Sequence, residues 1–190
     1  PERGQMPEDK RIHVMGEADL RSEVARMARE IVEQIEGTDE LVLMGVHRRG
    51  THIAGMLQDE IEAAAGVKVP TGSIDITLYR DDLGVIGPRP VVGETALPSG
   101  GIDDQDVVLV DDVVYTGRTV RAALNELSDW GRPRRILLCV LVDRGGRELP
   151  LQPDMTGKKI DVLENQHVEV LVPDLDGRLA VDLIQIESQS

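Results

Sequence analysis

One cysteine in 190 residues, Cys139 within the apolar run ILLCVLV, excludes an intramolecular disulfide framework and a multi-thiolate zinc site. A reducing, cytoplasmic setting is expected. Basic side chains are also scarce: 21 Lys and Arg against 35 Asp and Glu leave a net charge of −14, which opposes general attraction to nucleic acid or to an anionic membrane. Any polyanion site must therefore be local. No apolar stretch approaches the ~20 residues that cross a bilayer, and the opening PERGQMPEDK has no apolar signal-peptide segment. A soluble chain with no membrane partner is expected. Two nucleotide fingerprints are missing as well. GVHRRGTH spaces Gly45 and Gly50 as a P-loop would, but Thr51 stands where the phosphate-reaching lysine is required. No G-x-G-x-x-G occurs, and His47 and His52 have no evident third metal ligand.

What is there is ordinary globular composition, 41% apolar and 29% charged, in a length that suits one domain spanning 1–190. Apolar residues at Leu20, Val24, Met27, Ala28, Ile31 and Ile35 mark one face of a helix over Glu17 to Gly37. LVLMGV (Leu41 to Val46) reads as a strand buried on both faces. A second helix follows from about Thr51 to Ala65, and SIDITLY (Ser73 to Tyr79) alternates as a strand with two unlike faces. From Arg80 to about Gln105 glycine and proline break the pattern, a stretch long enough to suggest a lid. Order resumes as strand Val107 to Val110, helix Thr119 to Trp130 and strand Ile136 to Val142, a unit whose strands should be parallel. Beyond residue 160, HVEVLV, the turn DLDG and LAVDLIQI suggest a hairpin. The fold class is α/β: a mostly parallel sheet flanked by helices, with a small antiparallel C-terminal hairpin.

Three chemically loaded segments fall at strand ends, where such sheets bind ligands. They are HRRG after the first buried strand, DDVVYTGRT after the next, and DRGGRE after Val142. In VVLVDDVVYTGRTV (Val107 to Val120) a buried strand delivers Asp111 and Asp112 side by side. Neighbouring carboxylates repel, and a buried charge is costly without a partner. The TGRT turn leads into a helix, so the N–H groups of Gly117, Arg118 and Thr119 and the hydroxyls of Thr116 and Thr119 can surround a phosphate. Thr116 is equally suited to a plain helix cap. With a phosphate there, the two carboxylates stand where vicinal sugar hydroxyls would lie, and they also suit a hard cation such as Mg2+.

VVLVDDVVYTGRTVRAAL resembles the phosphoribosyl-pyrophosphate (PRPP) motif of type I phosphoribosyltransferases. DITLYRDDL, GRPRR, VLVDRGGRELPL and TGKK extend the likeness, from about Leu20 to Lys159, to one family: the PyrR family, bifunctional pyrimidine operon attenuators and uracil phosphoribosyltransferases. The resemblance implies a type I phosphoribosyltransferase-like fold and transfer of uracil onto PRPP, giving UMP and pyrophosphate with Mg2+. It makes Asp111, Asp112, Arg49 and Arg80 the catalytic candidates, the two aspartates also being the metal candidates. Val113, Val114, Tyr115, Thr116, Gly117, Arg118, Thr119, Arg48 and His47 become the PRPP and UMP contacts, and Asp143, Arg144 and Gly145 line the base side. The segment 80–105 becomes a flexible flap, with Gly84 to Gly101 mobile and Arg80 or Arg89 reaching phosphate.

Two features depart from the family. Arg48 stands where Thr is usual, and Gly146 where His is common. The resemblance also implies homodimers or larger assemblies of dimers, and a UMP-responsive attenuator of pyrimidine genes that reads the operon leader RNA. Arg26, Arg147 and Lys158 match the RNA-reading positions. Gln152 replaces a common basic residue there, and Glu23 adds a negative charge to the first helix. A transferase for another base, or a catalytic homologue without RNA binding, is the alternative.

Overall fold

The computed structural model describes residues 10–80 and 88–186. Its centre is a sheet in the order β4-β3-β2-β5-β6-β7. Strands β2 (Leu41–Val46) and β5 (Asp106–Val114) are neighbours, and each pairs in parallel on its other side, β2 with β3 (Thr71–Arg80) and β5 with β6 (Arg135–Asp143). Every residue of β2 is buried, as expected of a strand with helices over both faces. Side chains of β5 alternate between two cores: Val108 and Val110 face one, Val107 and Leu109 the other. The first core takes α1 (Glu17–Ile35) and α2 (Arg49–Ala65); the second takes α3 (Arg118–Trp130) through Val120, Ala123 and Leu127. Truncating a fully buried leucine such as Leu109 to alanine costs about 2–5 kcal/mol.

Strand β4 (Pro88–Ala96) lies within the stretch expected to be an irregular flap, antiparallel to β3 from Ser73↔Ala96 to Arg80↔Pro88. Pro88 and Pro90 hid it. An edge strand tolerates proline because one side of its backbone needs no ladder donor. Arg80 ends β3 and Arg89 lies opposite Tyr79; residues 81–87, including Gly84, fall outside the described part. On the far edge, β7 (Met155–Lys159) pairs in parallel with β6, and Arg26 Nη2 donates to the Thr156 and Gly157 carbonyls at 2.7 and 3.2 Å. That contact covers an otherwise open strand edge.

The C-terminal hairpin is the expected one, β8 (Gln166–Leu171) and β9 (Ala180–Gln185), but it is joined by β1 (Arg11–Met15), giving the order β1-β9-β8. The turn between β8 and β9 is a short helix, α4 (Pro173–Asp176). Val170, Val172, Leu179 and Val181 seat this small sheet on the α1 and α2 side of the main core. Asp182 is 2% exposed. Arg11 Nη1 and Arg178 Nη2 donate to it at 3.2 and 2.6 Å, and His13 Nδ1 lies 3.1 Å away. A carboxylate so deeply placed is tolerable because it is paired on several sides.

Candidate active site

Loops at the carboxyl ends of the inner strands β2, β5 and β6 lie together at one end of the sheet. Gly50, at the start of α2, packs so closely on the end of β5 that an added Cβ would lie 2.7 Å from the Val110 carbonyl oxygen and 3.1 Å from the Asp111 Cα. Only glycine permits that approach. The loops after β5 and β6 are laced together as well. Arg144 N–H donates to the Val114 carbonyl at 3.2 Å, while Glu148 N–H and Leu149 N–H donate to that of Thr116 at 2.9 and 3.2 Å. All three segments singled out from the sequence therefore share one site.

Asp111 is buried and Asp112 half-buried, each turned back on the next residue's backbone. Asp112 N–H donates to Asp111 Oδ1 at 2.8 Å, and Val113 N–H to Asp112 Oδ1 at 2.9 Å. Burial, reinforced by the charge of Asp112 and a hydrogen bond with it, holds the Asp111 carboxyl well above the usual carboxylate range. Val113 packs in part against the first core and Val114 is buried in the second. Thr116 Oγ1 accepts from Arg118 N–H at 3.3 Å across Gly117, whose φ of 93° puts it in the left-handed region. The turn thus opens α3 with the N–H groups of Gly117, Arg118 and Thr119 at its positive end. The guanidinium of Arg118 is tied to Glu148 at 2.7 Å.

In the loop after β2, His47 and Arg48 are exposed and joined by a cis peptide, while Arg49 Nη2 reaches Asp176 of α4 at 2.9 Å. The Nε atoms of Arg49 and Arg144 are buried without a hydrogen-bond partner among the described residues. Unpaired buried donors of this kind are uncommon, and an ordered water or a ligand acceptor would satisfy them. His47 and Arg48 also line a groove of about 620 Å3 together with Arg21, Thr51, His52 and Asp174. His52 Nδ1 stands 3.7 Å from Asp174 Oδ2.

The loop after β6 is more tightly built than its sequence suggests. Asp143 Oδ2 accepts from Arg147 Nη2 at 2.7 Å and its Oδ1 from Gly145 N–H at 2.9 Å. Burial alone would raise this carboxyl, but those bonds and the charges of Arg147 and Lys159 outweigh it and hold it below its ordinary value. Arg144 stacks its guanidinium 3.9 Å from the centre of the half-exposed Tyr115 ring. Gly146, with φ 75°, lies under the same ring: an added Cβ would be 2.3 Å from Tyr115 Cε2. The consecutive glycines of DRGG were the only sequence signal of this crowding.

Two of the three arginine and lysine positions matched to RNA reading are occupied within the chain. Arg26 bonds Glu23, Glu30 and the β7 carbonyls. Arg147 bonds Asp143, the carbonyls of Tyr115 and Leu151, and Gln152. Lys158 lies on β7, exposed. The sequence also gave no sign of Glu148 or Asp176 as partners for the site arginines; they come from other loops with no fixed spacing.

The pattern of the family described as a phosphoribosyl transferase domain matches residues 18–176. A bifunctional protein PyrR from Herpetosiphon aurantiacus is 51% identical over 163 residues, covering 86% of this chain and 90% of the relative. The chain belongs to the PyrR family. Another PyrR, from Thermus aquaticus, is 49% identical over 174 residues, 92% of this chain and 96% of its own. Among solved structures, a hypoxanthine phosphoribosyltransferase from Staphylococcus aureus superimposes with a TM-score of 0.72 over 97% of both chains at 16% identity. That last likeness concerns the type I phosphoribosyltransferase fold alone.

Proposed function

We propose that this PyrR-family chain is a uracil phosphoribosyltransferase, converting uracil and PRPP to UMP and pyrophosphate. The observation that carries the reading is the meeting of three loops at one end of the sheet: a pair of carboxylates, a TGRT turn at a helix N-terminus, and an arginine loop whose Arg49 Nε has no partner among the described residues. In the reaction the bond from the sugar C1′ to the pyrophosphate oxygen breaks, a bond from C1′ to uracil N1 forms, and the N1 proton leaves. Positive charge grows on the sugar carbon and negative charge on the leaving group, so positioning and electrostatics do the catalysis.

Each residue then has a task. Gly117, Arg118 and Thr119 N–H groups and the Thr116 and Thr119 hydroxyls hold the 5′-phosphate, with Val113, Val114 and Tyr115 shaping the turn. Asp111 and Asp112 accept the sugar hydroxyls; a hydroxyl donor offsets the burial and the repulsion that raise the Asp111 carboxyl. His47, Arg48 and Arg49 take the pyrophosphate, Arg49 exchanging Asp176 for phosphate oxygens. Arg80 ends β3, and its side chain and residues 81–87 lie outside what the structure describes; a phosphate role for it, and a flap in what remains of 80–105 beside β4, rest on the resemblance alone. Asp143, Arg144 and Gly145 face the base.

Among the described residues no cluster of three or more His, Cys, Asp or Glu converges as a metal cage. Two adjacent carboxylates are nonetheless the donor set that suits Mg2+, which keeps waters and takes its remaining ligands from substrate phosphates. Asp111 and Asp112 would hold it, and it would neutralise charge on the departing pyrophosphate. The expected setting is the cytoplasm, a reading that rests on the resemblance and on the single, unbridged Cys139. No described helix is long and apolar enough to cross a membrane.

Assays of the purified protein with PRPP, Mg2+ and uracil, hypoxanthine, adenine or orotate test the reading. Turnover with uracil is expected to exceed the others; preference for a purine would refute the base while sparing the PRPP site.

The name bifunctional, shared by the relatives, supports a second activity, which on the strength of the resemblance we take to be control of pyrimidine genes by UMP-responsive binding of the operon leader RNA, by a homodimer or assembly of dimers. With Arg26 and Arg147 engaged internally and a net charge of −14, such binding must rest on few phosphate contacts. Each contact contributes about one unit of salt slope. Titrating the leader RNA at two salt concentrations, with and without UMP, and measuring the mass of the free protein by light scattering test both parts. Weak binding indifferent to UMP would leave the enzyme alone.

A further inference from the structure

Arg147 is the most heavily bonded cation of the base-side loop, its side chain only 11% exposed. Nη2 donates to Asp143 Oδ2 at 2.7 Å and to Gln152 Oε1 at 3.2 Å; Nη1 donates to the Tyr115 carbonyl at 2.8 Å and reaches that of Gly145 at 3.5 Å; Nε donates to the Leu151 carbonyl at 2.9 Å. One planar group therefore joins the loop after β6 to the loop after β5. Only arginine presents donors in a rigid fork that can do this.

Resting on the uracil reading above, we propose that Arg147 is a positioning residue for base recognition. It clasps the base loop to the phosphate loop and fixes the orientation of Asp143, and it does not touch substrate itself. The two loops depend on the clasp unequally. The phosphate turn has other ties, from Glu148 N–H and Leu149 N–H to the Thr116 carbonyl and from Arg118 to Glu148. Asp143 would keep only the bond from Gly145 N–H. Losing the clasp should thus disturb the base more than the phosphate.

The test compares UMP with ribose 5-phosphate, which lacks the base, as ligands of the full chain by titration calorimetry. In Arg147→Gln, UMP affinity is expected to fall roughly tenfold more than ribose 5-phosphate affinity, the scale of one charge-assisted hydrogen bond. Arg147→Lys, which keeps the charge but not the fork, should recover part of that loss. In the Asp143→Asn background the further effect of Arg147→Gln should be small, because the two act as a unit. Retained ribose 5-phosphate binding shows that the variant has folded. Equal losses for both ligands, or additive losses with Asp143→Asn, would overturn the clasp. A wild type that binds UMP no better than ribose 5-phosphate would instead count against the uracil reading, and the clasp would fall with it.

Discussion

Asp111 and Asp143 stand at the carboxyl ends of adjacent strands, β5 and β6, and are buried to nearly the same degree, 6% and 8% exposed. Their chemistry is opposite. Asp111 has a second carboxylate beside it, and its charged form is disfavoured. Asp143 has Arg147 on one oxygen and a backbone N–H on the other, and its charged form is favoured. Burial pushes both upward; at Asp111 it is the chief cause and Asp112 adds to it, whereas at Asp143 Arg147 and the Gly145 N–H reverse it. The difference teaches what each half of the site awaits. On the reading proposed above, the β5 end awaits hydroxyls or a cation, whereas the β6 carboxylate already has partners on both oxygens and would offer a fixed acceptor to a neutral ligand. Such division of labour suits a reaction in which one substrate is highly charged and the other is not.

The largest effect should come from the incomplete half. Asp112→Asn keeps the shape and removes the charge, and turnover with uracil should fall about a hundredfold, as when one charge-stabilising group is lost. The thermal midpoint should hardly move. If turnover persisted while stability fell, the carboxylates would be structural and the contrast with Asp143 would disappear. Next in size is the packing that shapes the other half. Gly146→Ala places a methyl against the Tyr115 ring and forces alanine to adopt φ 75°, a strain of about 1–3 kcal/mol. Urea unfolding should show that loss; an unchanged midpoint would mean that Tyr115 and Arg144 part freely. A smaller effect follows from the charge of Asp143 itself. In Asp143→Asn the KM for uracil should rise about tenfold, one hydrogen bond's worth, with the KM for PRPP within twofold in steady-state assays.

How much of this was readable in the chain differs between the same two regions. The end of β5 was legible because its chemistry is local: LVDDVVYTGRT places carboxylates, glycine and hydroxyls within nine residues of each other along one strand and turn. The central parallel strands and the three large helices were legible for the same reason, since periodicity is a local property. What was hidden is what other segments supply. β1 joins the C-terminal hairpin from the opposite end of the chain, pairing Arg11 with Ile184. β4 carries prolines that an edge strand tolerates. Asp176 binds Arg49 across 127 positions of sequence. Arg147 shows the point most clearly: as a letter it is a cation suited to RNA, and in place it is a buried fork between two loops.

The finest consequence of the comparison concerns stability against pH. For Asp111 the folded-state pKa lies above the ordinary value of 3.8, so the folded chain binds this proton more tightly than the unfolded one. Its contribution is most favourable below 3.8 and declines as pH rises through the interval up to the raised value. For Asp143 the folded pKa lies below 3.8, so its stabilisation is present above that value and is lost as pH falls through the lowered one. Replacing Asp111 by Asn removes the first effect without touching the second. Asp111→Asn should therefore match the wild type in urea unfolding near pH 4 and become more stable by about 1 kcal/mol by pH 7, the usual gain when a functional site loses its strain. The gain should shrink once ribose 5-phosphate and Mg2+ saturate the wild type, because ligands that satisfy Asp111 remove its penalty. A constant difference across pH, or one that grows on ligand addition, would show that the burial of Asp111 beside Asp112 is not what sets this carboxyl apart from Asp143.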